Sequence, residues 1–369
     1  DGLLAEAVSD SAFPGGVVLA AKDGQIFLHK AFGYHTYDNQ KPVTRGSIFD
    51  LASITKVIAT TSAIMKLVEA DKISLEDKVV TYLPSFKGKQ KEYFDHKSRI
   101  TIRHLMTHTS GLPPFKKYFL MDNNIQTRLD SIMNTEPEIG LNQTTIYSDV
   151  GLIVLGKVIE SVSKNSLDDF VDSVIFEPLG LKSSFYNPPN EKNKRVIPTE
   201  FSELYGELIK GYVHDENAKS IGGVAGHAGL FSTASDLAVF SQMMLNGGIY
   251  GWKRIFKSET INDFTKRANL IDGSSRALGW DTPSGKASGG VYLSESSFGH
   301  TGFTGTSLWI DPNNQLFVIL LTNAVHPNRL YKDPKYYDWR QKIHSSVYES
   351  LGINKKNNNL VWRERWKAN

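Results

Sequence analysis

The stretch FDLASITKVIAT, residues 49–60, places a serine and a lysine three positions apart at the head of an apolar run. Ile54, Val57, Ile58, Ile64, Met65 and Val68 recur at helical spacing, which predicts a mostly buried helix beginning near Ser53. At a helix start, unpaired amides and the positive dipole end favour a developing oxyanion. The plain structural alternative is an N-cap serine followed by a lysine whose stem lies along the surface. The same spacing recurs at Ser161–Lys164, but there the serine closes its helix, where the dipole is negative and an oxyanion is disfavoured. Context therefore favours Ser53 and Lys56 as the pair able to do nucleophilic chemistry.

Two further segments carry candidate groups. Tyr147, in TTIYSDVGLIVLG, precedes a buried helical pattern, and a phenol there could relay a proton between a serine, a lysine and a leaving group; a packing role beside a Ser148/Asp149 cap is the alternative. FGHTGFTGTSLWIDP combines glycines at 299, 302 and 305 with strand residues, so a ligand could approach the backbone closely. His300 would offer a donor or a cation there, and Thr301 a hydroxyl. His227, in GHAGLFSTASDL, precedes a helix rather than a hairpin and ranks lower. Tyr37-Asp38-Asn39 lies in a turn-rich loop with no helix behind it and is set aside. His104 and His108 have the four-residue spacing of a helical zinc pair, but Leu105 stands where a glutamate should follow and no carboxylate completes a ligand set, so no metal is expected.

These groups need a scaffold, and 369 residues with 40% hydrophobic content allow a large core of two domains or of one domain with a big insertion. A net charge of +3 without a dense basic block argues against nucleic acid as a partner, and the tail NKKNNNLVWRERWKAN reads as a solvated end. The absence of cysteine excludes disulfides and thiolate chemistry. No apolar run reaches spanning length, and Asp1 opens the sequence without a signal segment. PGGVVLAAKDGQIFLHKAFGY predicts two strands around Asp23-Gly24, and strand patterns return in RALGWDT, SFGHTGF, GTSLWID and QLFVILLTN. Between them lie helical patterns: TIRHLMTHTSGLPP stopped at Gly111, SDVGLIVLGKVIESVS, and STASDLAVFSQMMLNGG stopped at Gly247 and Gly248. DWRQKIHSSVYESLG is a closing helix. Strands at both ends with helices between predict an α+β fold, with residues 1–70 and 271–369 as a sheet domain, 71–270 as a mainly helical domain and the site at their interface.

The ordered set S-I-T-K, Y-S-D and H-T-G resembles the penicillin-recognising serine hydrolases, the group of class C β-lactamases, serine D-Ala-D-Ala carboxypeptidases and related esterases. The likeness runs from the first strand pair to the last helix and includes LMTHTSGLP and GLFSTASDL. It implies a β-lactamase/transpeptidase-like fold with an antiparallel sheet built from both chain ends. Ser53 would be the acylated nucleophile, Lys56 its proton acceptor and Tyr147 the shuttle to the leaving group. His300, Thr301 and Gly302 would line an edge strand, and the amides of Ser53 and Phe303 would form an oxyanion hole worth about 3 kcal/mol per donor. Burial would lower the Lys56 pKa and leave it a neutral base.

Two departures bear on substrate. Asp149 stands where β-lactamases carry asparagine; facing the cleft, an ionised carboxylate can only accept where an amide could donate, whereas turned inward it would hold Lys56. His300 stands in place of lysine, as in some D-Ala-D-Ala peptidases, and would hold a substrate carboxylate in a pH-dependent way. The implied activity is acyl-enzyme hydrolysis of an ester or D-amino-acid-type peptide without a cofactor, with a class C-like β-lactamase or a penicillin-binding sensor that does not turn over as alternatives. The resemblance implies a periplasmic or secreted location.

Overall fold

The segments GGVVLAAK and QIFLHKAFG are joined by Asp23 and Gly24, whose φ angles are both positive, 51° and 78°. That is the two-residue turn whose twist matches paired strands. In the computed structural model, which describes residues 2–88, 91–121 and 124–367, they form strands β1 (Gly15–Lys22) and β2 (Gln25–Gly33). Strands β3 (Phe298–Gly302), β4 (Thr306–Asp311) and β5 (Leu316–Thr322) come from the other end of the chain. All five form one antiparallel sheet in the order β3-β4-β5-β1-β2. The two chain ends meet where β1 pairs with β5, from Gly16↔Thr322 to Lys22↔Leu316. Buried along its whole length, β5 reads as a continuous apolar run because both of its faces are covered.

Side-chain alternation divides the sheet between two cores. Val17 and Leu19 of β1, with Ile319 and Leu321 of β5, face a large core shared with Ile54, Val57 and Ile58. The same core takes in helices α3 (Asp149–Ser163) and α4 (Ala234–Leu245), and α2 (Ser62–Glu69) extends the segment that carries Ser53. Val18 and Leu320 point the other way, onto α1 (Gly2–Ser9) and α5 (Lys335–Ser350) through Leu4, Trp339 and Ile343. Each fully buried aliphatic side chain on these faces is worth about 1.5–3 kcal/mol. The chain between β2 and β3 is mainly helix and loop, so the fold is α+β with an inserted helical region, as its sequence pattern predicts. No described helix is long and apolar enough to cross a membrane.

Three expectations change. RALGWDT forms no strand: Gly279 turns the chain at φ 81°, leaving only isolated bridges from Arg276 to Asp281 and from Asp281 to Gly299. The helix expected over TIRHLMTHTSG is confined to Ile102–Met106, because His108 adopts φ 59°. The tail is solvated only in its first part and packs from Leu360 onward. Leu360 is buried, Arg363 pairs with Asp338 at 2.6 Å, and the Trp366 ring meets Trp339 edge-on at 5.1 Å. Ala368 and Asn369 lie outside the described residues.

Candidate active site

The segment expected as one helix from Ser53 is built in three parts: a 3₁₀ turn at Ala52–Ile54, a π-helical stretch at Lys56–Thr61, and α2. Widened turns of this kind recur at functional positions because they re-aim side chains. Ala52 enters the turn at φ 46°, a conformation costly for a residue with a Cβ. Buried Asp50 supports it: one carboxylate oxygen accepts from the Ala52 amide at 2.8 Å and the other from the His214 amide at 2.7 Å. Burial pushes the Asp50 pKa up, with those amides opposing it.

The hairpin after β3 is tied to the same turn. Thr304 Oγ1 donates to the Asp50 carbonyl at 2.7 Å and Thr306 Oγ1 to the Leu51 carbonyl at 3.0 Å. A Cβ at Gly302 would lie 2.3 Å from the Leu51 carbonyl oxygen, so only glycine allows this approach. The backbone of Phe303 is thereby fixed relative to Ser53.

Ser53 is half-buried, whereas Lys56 is only 1% exposed. Lys56 Nζ donates to Ser53 Oγ at 2.7 Å and to the His227 carbonyl at 3.0 Å. It also lies 2.7 Å from Asp149 Oδ1 at the start of α3 and 5.0 Å from the centre of the Tyr147 ring. Burial pulls the Lys56 pKa down, but Asp149 first and Tyr147 next outweigh it, and the net shift is upward. The neutral lysine anticipated from burial alone is therefore not what this surrounding produces: Lys56 is an ammonium. Asp149 takes the inward arrangement, with its carboxylate on Lys56.

Tyr147 is held by its neighbours. The His108 carbonyl accepts from the Ile146 amide at 2.9 Å, and His108 Nδ1 accepts from the Ser148 amide at 3.0 Å. The His108 ring lies 4.7 Å from the Tyr147 ring, and the His300 ring 5.9 Å from it. The two histidines of the zinc-like spacing thus part ways. His104 caps its own helix, accepting from the Thr101 amide at 3.0 Å, while His108 brackets the tyrosine. Among the described residues no cluster of three metal-ligating side chains occurs.

His300 is 4% exposed and its Nδ1–H donates to the Thr301 carbonyl at 2.8 Å. Burial, reinforced by Arg276 and Lys56, holds its pKa well below the usual value, so His300 is neutral and not the cation considered from sequence. Positive charge is supplied instead by residues the sequence reading passed over. Two pockets meet at Ser53, Tyr147 and Phe303. One, of about 270 Å³, has His300, Thr301, Arg276, Lys332 and Arg340 in its wall. The other, of about 310 Å³, is walled by Phe115, Asp149, Asp215, Glu216, His227 and Arg329. His227, ranked low from sequence, lies in that wall with Nε2 2.8 Å from Asp215. No local pattern marks Arg276, Lys332 or Arg340, since being unpaired in a cleft is a property of the tertiary structure. Tyr37 and Asp38 border neither pocket, and Tyr37 donates to the Ser11 carbonyl at 3.1 Å.

Comparison with known proteins bears on this arrangement. The β-lactamase family model matches residues 1–341. The chain belongs to the β-lactamase family of serine hydrolases. It is 36% identical over 349 residues to a Salmonella typhi protein provisionally named a D-alanyl-D-alanine carboxypeptidase, covering 86% of this chain and 80% of that protein. In structure it is similar to the octameric penicillin-binding protein homologue of Pyrococcus abyssi (TM-score 0.73, 23% identity, 96% of this chain and 78% of that one). It is likewise similar to a class C β-lactamase of Rhodobacter sphaeroides (TM-score 0.72, 19% identity, 95% and 100%). These two likenesses speak for the fold, a β-lactamase-related serine hydrolase architecture with its antiparallel sheet and flanking helices.

Proposed function

We propose that this enzyme is a periplasmic or secreted D,D-peptidase of carboxypeptidase type, with Ser53 as the acylated nucleophile. The observation that carries the reading is the 2.7 Å bond from the buried Lys56 ammonium to Ser53 Oγ, in a cleft whose one wall presents the guanidiniums of Arg276 and Arg340. A peptide lying across Ser53 would place its terminal carboxylate at Arg276, beside Tyr147, and its acyl portion in the pocket walled by Phe115 and Asp149. The carbonyl oxygen would sit between the amides of Ser53 and Phe303, with the edge residues His300, Thr301 and Gly302 alongside.

Since Lys56 is held as an ammonium, the serine proton needs another acceptor in the resting enzyme, and Tyr147 is the titratable side chain that borders both pockets. Tyr147 relays the proton, its oxygen accepting from Ser53 as its own hydroxyl proton goes to the departing amine; Lys56 and the two amides stabilise the negative charge that develops. Water then attacks the ester by the reverse route. In the same reading, the sheet part contributes Ser53 and residues 300–303, the inserted part contributes Tyr147 and Asp149, and the cleft is the boundary between two domains.

The test is release of D-alanine from a diacylated L-Lys-D-Ala-D-Ala peptide, with intact-mass analysis and peptide mapping after fluorophosphonate treatment. D-alanine release together with an adduct on Ser53 is the expected result. Labelling at Ser53 with ester turnover but no D-alanine release would place the enzyme among esterases. Hydrolysis of a penicillin at rates exceeding the peptide would make it a β-lactamase, and a penicillin adduct that persists without turnover a sensor.

A further inference from the structure

The pocket beside His300 holds more positive charge than one terminal carboxylate requires, and it holds it in two places. Arg276 lies over Tyr147, 5.0 Å from the ring centre. Lys332 and Arg340 lie toward Phe303 and Tyr337 on the same pocket wall. Arg340, on α5, is only 8% exposed; its Nε has no hydrogen-bond partner, and its guanidinium lies 5.2 and 5.3 Å from the ring centres of Tyr336 and Tyr337. Lys332 is 4% exposed, donates to the Phe303 carbonyl at 2.8 Å and sits 3.5 Å from the centre of the Phe303 ring.

Neither residue has a carboxylate within ion-pair distance among the described residues. Other cations nearby do meet carboxylates. Arg329, three residues before Lys332, meets both Glu200 and Glu216, and Arg363 meets Asp338. The carboxylate in this pocket's wall, Asp281, is engaged by the Ser275 hydroxyl at 2.5 Å and the Thr282 amide at 3.1 Å. A buried guanidinium without a counter-ion opposes folding unless something neutralises it, and burial together with Arg340 and Arg329 already pulls the Lys332 pKa down to about 7, so an anion bound here would restore the lysine's charge as well as match the arginine's. Lys332 and Arg340 both belong to the wall of the pocket that also contains Ser53.

We propose that Lys332 and Arg340 form a second anion subsite, which takes a side-chain carboxylate of the leaving residue, so that the preferred leaving group is an acidic D-amino acid. This rests on the carboxypeptidase reading: Arg276 takes the terminal carboxylate, and the second carboxylate reaches past Thr301 to Arg340 and Lys332. The chemistry is unchanged by it. The amide C–N bond breaks as the Ser53 ester forms, the departing nitrogen receives the serine proton, and water later cleaves the ester; the second carboxylate only binds. A pocket of about 270 Å³ has room for one amino acid of this size.

The experiment compares peptides of the same acyl part ending in D-Ala-D-Ala and in D-Ala-D-Glu, with the released amino acid quantified by chromatography. In wild-type enzyme, kcat/KM for the D-Glu peptide should exceed that for the D-Ala peptide by about ten-fold or more. Arg340→Gln should bring that ratio close to one, and Lys332→Gln should lower it part of the way. Arg276→Gln should depress both peptides and leave the ratio in place. A wild-type ratio of one or less, or a ratio unmoved in folded Arg340→Gln, overturns the proposal. If Arg340→Gln proves unfolded by circular dichroism, Lys332→Gln decides in the same way, an unmoved ratio again overturning it. Cleavage of D-Ala-D-Ala without the preference sinks the subsite alone. Release of neither amino acid by protein that still takes a fluorophosphonate at Ser53 sinks the carboxypeptidase reading and the subsite with it.

Discussion

Two Ser-x-x-Lys segments in this chain have the same spacing and opposite fates. At Ser53–Lys56 the lysine is buried, bonded to the serine at 2.7 Å and paired with a carboxylate from another helix. At Ser161–Lys164 the serine donates to the Tyr82 carbonyl at 2.8 Å, and the exposed lysine is the left-handed C-cap of α3, at φ 62°. Spacing alone brings neither lysine to its serine. The difference lies in the 3₁₀ and π-helical winding after Ala52, and in Asp149 arriving from 93 residues further on. The sharpest way to break the comparison is to remove each hydroxyl in turn. Ser53→Ala should cost about a thousand-fold or more in kcat and abolish the fluorophosphonate adduct, whereas Ser161→Ala should keep both. An adduct retained in Ser53→Ala would place the chemistry elsewhere.

A smaller but more informative effect follows from the partner charge. With its folded pKa raised above the unfolded value of about 10.4, Lys56 adds stability that is present below that pH and lost only as pH climbs past the folded value. Between pH 6 and 9 the wild type should therefore show no slope in stability from this group. Asp149→Asn removes the strongest upward influence and leaves burial opposed by Tyr147 alone, so the Lys56 pKa is expected to fall below its unfolded value. The variant should then lose stability as pH drops from about 9 to 7, readable by urea denaturation at the two pH values. Its activity should fall by about ten-fold or more on a β-lactam and a nitrophenyl ester alike, because the Lys56 charge beside Ser53 is disturbed rather than a substrate contact. A gain confined to the β-lactam would show that the carboxylate faces substrate after all.

The bracket around Tyr147 gives the next prediction. His108 reaches the backbone on both sides of the tyrosine, through its own carbonyl and its Nδ1, from a φ of 59°. Asparagine tolerates that φ and offers a short side-chain acceptor; leucine does neither. His108→Leu should lower kcat by about ten-fold with KM nearly constant, and His108→Asn should restore most of the loss. Equal losses in both variants would mean that the ring packing on Tyr147, and not the amide bond, is what matters. A change confined to KM would remove the positioning role.

The same residues show how far the sequence could be read. The strands at both chain ends and the insertion of helices were legible, and Ser53 and Lys56 could be singled out as a pair, because apolar periodicity and turn residues are local properties. What escaped was set by partners distant in the chain. Burial of Lys56 could be foreseen, but the carboxylate that reverses its pKa shift could not be ranked against it until both alternatives for Asp149 were resolved in space. RALGWDT alternates like a strand, yet Gly279 turns it, and the turn is what places Arg276 over Tyr147. The basic tail looked solvated because charge was counted without the aromatic rings between the charges; Trp366 packs on Trp339 and carries Arg365 to Asp10.

The smallest expected effect concerns His300, and it separates charge from position in the site. Read from sequence, an imidazole at the head of H-T-G would grip a carboxylate only when protonated, so substrate affinity would fall as pH rises through the ordinary histidine range. In the structure the ring is buried against Tyr147, its Nδ1–H is committed to the Thr301 carbonyl, and Arg276 and Lys56 both oppose a second proton. Its pKa lies well below 6.5, so the folded ring stays neutral across the working range and gives substrate affinity no pH slope there, while the unfolded chain's histidine, which binds a proton below about 6.5, makes the ring cost stability as pH falls. In the proposed reading the carboxylate is held by Arg276, and a guanidinium is charged at every working pH. KM for a peptide with a free terminal carboxylate should accordingly stay within about two-fold from pH 5.5 to 8. Arg276→Gln should raise KM for that peptide far more than for its methyl ester. A KM that climbs steadily between pH 6 and 7 in the wild type, and flattens in His300→Gln, would return the cationic role to the histidine. It would also mean that the cleft carries its charge on the strand edge rather than on the loop that Gly279 turns.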